Sequence, residues 1–372
     1  DPWTIAFHLK KPDPIFADKL AMPFASAVPR EAVARWGEDF SRHPLGSGPF
    51  TLHSWIGGQQ IVMLRNPHYF IKNTPRLDAV VALLGVSDEL QWLKFEAGDI
   101  DIASIPPAEF PYVMKTPSLK RLTLHRVTAT TTYLAMNCQM APFNDVHVRR
   151  AFNFAVNKKK LIALINGRGV VAHGVLPPTL PGFDPDLKGY PYDPQRARKL
   201  LEAAGLGHGF SPEIWLPADQ TMLMLGQSIQ QDLALVGVHA ILKPVAFGPL
   251  LEAVRQPKTV ELAVLGWQAD FPDPADFLDV LFSKSQWGAN NDTFYSNSRV
   301  DALLAEAAPI SGRARRYAIY NHAERIIVAD APWVFLYNPV TYVIRQPWVH
   351  NFKLNPMRPA RLDSVWISPH GK

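Results

Sequence analysis

The sequence predicts an α/β protein with more than one domain, and three observations carry that expectation. From about residue 131, short apolar runs alternate with amphipathic stretches of roughly 10–15 residues, the pattern of strands joined by helices. Before that point the texture is mainly strands. The 34 prolines in 372 residues punctuate many short elements and favour structured loops, and the length suffices for two cores.

Taken in order, Trp3 to Leu9 alternates as a strand, and Pro29 sits near the start of a helix ending at Trp36. Phe50 to Trp55 and Gln60 to Arg65 read as a hairpin turned at Gly57-Gly58. Leu77 to Leu84 is a strand, Asp88 to Ala97 a helix stopped by Gly98, and Gly98 to Ala103 a further strand. Tyr133 to Asn137 is a short strand, after which Asp145 caps one helix running to Ile165. Asp193-Pro194 starts a second helix that ends at Gly205. Glu213 to Leu216 and Val238 to Leu242 are strands flanking a helix over Met222 to Val236, and a helix over Phe247 to Val254 follows. Glu261 to Leu265 is a buried strand. Val300 to Ala308 and Arg313 to Ala329 are helices, and Trp333 to Ile344 reads as a strand pair around Asn338-Pro339. The alternating half is expected to be a parallel-type sheet, with ligands beyond the carboxyl ends of its strands.

Bulk properties exclude several classes. Composition is ordinary globular, 47% hydrophobic and 19% charged. The longest apolar runs, such as Leu161 to Ile165, fall far short of the ~20 residues a membrane helix needs. Asp1 opens directly into DPWTIAFHLKKP, so no signal peptide is read and the chain reads as a mature or truncated piece. The 38 Lys+Arg against 33 Asp+Glu give a mild basic surplus. The densest basic groups, Lys158 to Lys160 and Arg313 to Arg316, fall in amphipathic patterns and read as solvated faces. No basic stripe with interleaved aromatics is present, so nucleic acid is not an expected partner. Cys138 is the only cysteine, which excludes a disulfide within these residues. The histidines show no HExxH and no helical His pair, so no metal site is expected; His173, His208 and His239 read as surface or loop residues. P-loop, GxGxxG and GxSxG patterns are absent, and no constellation argues for catalysis or a cofactor.

The most informative stretch is GWQADFPDP, Gly266 to Pro274, at the end of the Leu262 to Leu265 run. Trp267 is followed by Asp270, on a segment that Pro272 and Pro274 hold out of a helix. Local sequence leaves two readings open: a Pro/Asp turn with a core tryptophan, or an aromatic-acid loop that holds an amine.

Five blocks in order resemble the peptide-type extracellular solute-binding proteins of ABC importers, the dipeptide- and oligopeptide-binding group. HPLGSGPFTLHSW with QQIVMLRNPHYF resembles that family's glycine-proline and L-x-R-N-P-x-Y signature, with Ser47 where Thr is usual. YLAMNCQMAPFNDVHVRRAFNFAVNKKKLI, GVLPPTLPGF, YDPQRARKLLEAAG and GWQADFPDP resemble four further blocks. The resemblance implies a two-lobed periplasmic-binding-protein-like fold with a hinge. Residues 1–131 would belong to lobe I, including the end of a small subdomain; residues 132–338 would form lobe II, and residues 339–372 would return to lobe I. It also implies that family members carry an export signal and part of lobe I ahead of the position matching Asp1, so lobe I is expected to be incomplete at the N-terminus.

For function, the resemblance implies a non-enzymatic component that captures peptides and delivers them to a membrane permease. It would act as an exported monomer in the periplasm or at the outer face of the cytoplasmic membrane, with or without a lipid anchor. Asp270 would take the peptide ammonium, Gly266 and Gln268 would pair with its backbone, Trp267 would form a packing wall, and Tyr133 would be a hinge tyrosine facing the ligand. The loop matching the dipeptide-specific arginine is PADQTM, Pro217 to Met222, with Asp219 and no arginine, which favours longer peptides or another amine. Two alternatives stay open: the same fold holding a metal chelate, haem, glutathione or sugar, or a ligand-sensing half of a regulatory protein.

Overall fold

The computed structural model describes residues 1 and 4–370. They form two compact units. One comprises Asp1–Leu20 with Val127–Val340, the other Ala21–Arg126 with Thr341–Lys372. The chain therefore passes between units at 20/21, 126/127 and 340/341, and residues 1–20 group with the larger unit.

The larger unit is a mixed sheet with helices on both faces. Its strands are β1 (Thr130–Met136), β2 (Gly169–Val171), β3 (Glu213–Pro217), β4 (Ile241–Val245), β5 (Leu262–Gln268) and β6 (Trp333–Arg345, whose last residues enter the other unit). Their order is β2-β6-β1-β5-β3-β4. β3 runs parallel to β4 and to β5, whereas β1 is antiparallel to both β5 and β6. The purely parallel expectation thus holds only for β3, β4 and β5.

The helices are α1 (Val146–Ala155), α2 (Lys158–Leu164), α3 (Pro194–Ala203), α4 (Gln220–Ala234), α5 (Phe247–Val254), α6 (Ala275–Phe282), α7 (Ser298–Ala307) and α8 (Arg313–Asp330). On one face, Leu134, Met136, Ile214, Leu262 and Val264 pack with Phe152, Leu201 and Ile229 of α1, α3 and α4. On the other face, Trp333 meets Phe282 of α6 with ring centroids 4.7 Å apart. Cover on both faces explains why Leu262 to Leu265 reads as an unbroken apolar run.

Local signals account for most helix starts. The Asp145, Asp193 and Asp219 carboxylates accept backbone N–H groups of the first turns of α1, α3 and α4. One helix was expected from Asp145 to Ile165, but two form. Val156 is extended and Asn157 caps α2, accepting the Lys160 N–H, while its own N–H donates to Asp232. Trp333 to Ile344 is likewise one continuous strand rather than a pair; a register shift between Phe335 and Tyr337 absorbs the irregularity. The strand expected over Trp3 to Leu9 does not form in Thr4–Leu9, which pair with no strand and leave Ile5 and Phe7 exposed; Trp3 itself lies outside the described residues.

The smaller unit holds an antiparallel sheet of Phe50–Ile56, Gln60–Arg65 and Ala79–Leu83, turned at Gly57-Gly58 as its glycines suggest. A separate core gathers Trp92, Phe95, Ile105, Phe110, Val113 and Ile344.

Candidate functional site

The strand that leads into Gly266–Pro274 does not stop at the glycine. β5 continues through Trp267 and Gln268, paired in register with Thr131 and Thr130 of β1. Beyond it the Ala269 N–H donates to the Ala129 carbonyl at 2.8 Å, and at the other end the Asn137 N–H donates to the Glu261 carbonyl at 2.9 Å. Odd-numbered residues of β5 therefore direct their N–H and C=O groups towards β1. Gly266 and Gln268 direct theirs to the opposite edge. On that edge β3 pairs only with Leu262 and Ala263, and no strand among the described residues pairs beside Gly266.

Just past this edge, Asp270 is exposed, and its carboxylate accepts no hydrogen bond and forms no ion pair among the described residues. Its main chain, by contrast, is fixed. The Asp270 N–H donates to Asp276 Oδ2 at 2.9 Å, and the Trp267 indole N–H donates to the same oxygen at 3.2 Å. Asp276 lies in the first turn of α6 and is only 1% exposed. Burial pushes its carboxyl up to about 7, the charges of Asp270 and Asp273 add to that rise, and the two donated N–H groups oppose it.

Asp273 fixes the far side of the loop. Its Oδ1 accepts the Ala275 N–H, and Arg316 of α8 grips both its oxygens, Nη2 at 2.9 Å and Nε at 3.3 Å. Arg316, 2% exposed, also donates to the Ala307 and Ala308 carbonyls at the end of α7. The solvated face expected over Arg313 to Arg316 is thus wrong for Arg316. It is wrong for Lys158 as well, which is buried and donates to the Asn153 and Tyr190 carbonyls. In both cases the long side chain finds backbone carbonyls that a helical period cannot foretell.

Four of the five sequence-predicted site residues, Gly266, Trp267, Gln268 and Asp270, thus share one strand end. Tyr133 is not brought to that exposed edge. It is 2% exposed, its ring stacked on Trp333 at 3.4 Å between centroids, and burial raises its hydroxyl pKa well above the ordinary value. Asp219, in the loop without the arginine, serves as the cap of α4. A cavity of about 1190 Å³ elsewhere in the unit, lined by Lys159, His173, Lys188 and Tyr192 among others, involves none of the five. Sequence reasoning missed Asp276 and Arg316. An acid two residues after Pro274 was a usable helix-start signal, but its reach back to Trp267 was not.

An open strand edge, an indole and an exposed carboxylate can together grip an extended chain by its backbone and its ammonium. Heme-binding protein A of Haemophilus influenzae is 31% identical over 369 residues, covering 96% of this chain and 66% of its own length. Di/tripeptide-binding protein 1 of Pseudomonas aeruginosa is 27% identical over 368 residues, covering 96% and 68%. The chain thus spans about two thirds of the length of these relatives. Among solved structures, the ABC transporter-associated periplasmic binding protein DppA from Helicobacter pylori, in complex with peptide STSA, superimposes with a TM-score of 0.83 at 28% identity, covering 97% of this chain and 72% of that one. Residues 1–289 match the bacterial extracellular solute-binding proteins, family 5 middle region, and the chain belongs to that family.

Proposed function

We propose that the chain is the binding component of an ABC importer and captures peptides by their free amine. The carrying observation is the exposed, unpartnered Asp270 carboxylate at the end of a strand whose edge beside Gly266 is open. Asp270 takes the ammonium, Gly266 and Gln268 pair with the peptide backbone, and Trp267 walls the strand end. Backbone pairing grips peptides regardless of side chains, so affinity comes without strong sequence choice. The relatives that support the reading are the di/tripeptide-binding protein and the protein solved with peptide STSA. Residues 132–338 form the lobe that carries this site. The protein works as a monomer outside the cytoplasmic membrane, in the periplasm or lipid-anchored at the outer face. It binds rather than transforms its ligand and hands it to a membrane permease.

The test is calorimetry with free-amine peptides on the intact protein. Leaving a charge without its partner typically costs ~3–5 kcal/mol, so Asp270→Ala should weaken binding by ~10²–10³-fold or more. Unchanged affinity would remove Asp270 from the site. A second reading, a haem ligand, is favoured by the Haemophilus relative. Native mass spectrometry of protein purified without added ligand separates the two, because a ladder of peptide masses fits the first and one haem mass the second.

A further inference from the structure

We propose that Asp276 is a positioning residue for ligand capture: its buried carboxylate aims Asp270 and Trp267 and, when ionised, strengthens the site's hold on an ammonium. This rests on the reading that Asp270 takes the peptide amine. Both the Asp270 main-chain N–H and the Trp267 indole N–H end on a single oxygen, Asp276 Oδ2. One side chain thus fixes the acid and the wall together. An asparagine could accept the same two bonds without the cost of burying a charge, so the acid itself has work to do.

Its surroundings show what that work is. No cation pairs with Asp276 among the described residues. Arg316 of α8 is held by Asp273 and by the α7 carbonyls, and Tyr320 of α8 donates to Asp279. On α7, Asp301 accepts the Lys284 N–H and Glu306 pairs with Arg315. Tyr133 of β1 is stacked on Trp333. The remaining charges beside Asp276 are the carboxylates of Asp270 and Asp273. Its negative charge is therefore uncompensated until a ligand ammonium arrives at Asp270. Ligand binding then favours the ionised form, and protonation opposes binding. The carboxyl titrates near neutrality because it is buried, so the effect falls in an accessible pH range.

The experiment measures retention of a pool of free-amine tri- to pentapeptides, and of its N-acetylated counterpart, by mass spectrometry at pH 6 and pH 8. Intact wild type, Asp276→Asn, Asp276→Ala and Asp270→Asn are compared, with thermal melts checking that each is folded. Wild type should retain the free-amine pool several-fold better at pH 8 than at pH 6. Asp276→Asn should retain it equally at both, below wild type at pH 8. Asp276→Ala should lose about tenfold at pH 8, the scale of one charge-assisted hydrogen bond. If Asp276→Ala does not fold, the flat profile of Asp276→Asn decides. Wild-type behaviour in Asp276→Ala, or a wild-type pH profile in Asp276→Asn, overturns the inference while loss in Asp270→Asn leaves the peptide reading standing. If wild type retains neither pool, the peptide reading fails and this inference fails with it.

Discussion

At Gly266 the strand is bare without being forced to be. A Cβ there would meet the Thr131 carbonyl oxygen at 3.6 Å and Thr132 Oγ1 at 3.9 Å, which are ordinary contacts. The fold of this unit tolerates a side chain, so the glycine leaves room at an exposed strand end for something that approaches it. If the visitor is a peptide pairing with that edge, its own backbone N–H groups carry the grip. Peptides N-methylated at their second and third residues should then bind several-fold to tenfold more weakly than unmodified ones, because one of two consecutive N–H groups faces the edge and its lost pair is worth ~0.5–1.5 kcal/mol. Calorimetry on matched peptides checks this, and equal affinities would show that the edge is not used. The glycine, the tryptophan and the acid were legible because they are adjacent in sequence. Asp276 was not, because its role depends on the chain folding back on itself over six to nine residues.

At the scale of elements, the β5–α6 connection is held to α8 by one buried ion pair. Arg316 reaches both oxygens of Asp273, with side chains 2% and 5% exposed, and ties in the end of α7 through two carbonyls. Arg316→Met would leave Asp273 buried without its counter-ion, so the expected loss is ~3–5 kcal/mol in denaturant unfolding. Adding Asp273→Asn should restore part of it, since the stranded charge is then gone. A loss under ~1 kcal/mol would mean that the loop is held by other contacts. The same contrast between local and distant causes explains which elements the sequence disclosed. Asp145 and Asp193 announce α1 and α3 because a cap acts within one turn. The break at Asn157 stayed hidden because the apolar period runs through it; its cause includes Asp232, 75 residues away. Asn338-Pro339 has the composition of a turn, yet Asn338 donates to the Thr130 carbonyl and to Thr131, and Pro339 pairs beside Gly169, so the strand runs on.

Across the molecule, the larger unit stores several ionisable groups in apolar surroundings, and together they set how stability follows pH. Burial raises the carboxyls of Asp276, Asp279, Asp292 and Glu324 to about 7. Asp279 Oδ1 and Glu324 Oε2 are buried without a hydrogen-bond partner among the described residues, which adds to the cost of their ionised forms. Between the ordinary carboxyl value near 4 and about 7, the folded state keeps protons that the unfolded chain releases. Stability must therefore fall as pH rises through that window. Lys158 acts in the opposite sense at higher pH. Burial lowers it to about 7, so above that value the folded amine is neutral while the unfolded one stays charged until ~10.4, and stability recovers as pH rises. Asp145 and Asp184 are depressed, the latter by the Arg325 guanidinium, and their contribution disappears only as pH falls below the ordinary carboxyl range. Thermal melts should accordingly show a Tm that is higher at pH 5 than at pH 7 and rises again towards pH 9. Asp276→Asn and Glu324→Gln should each shrink the drop between pH 5 and pH 7 by removing one group that must ionise, and a Tm that climbs across that interval would contradict the assignment of these carboxyls as buried and unpaired with a cation.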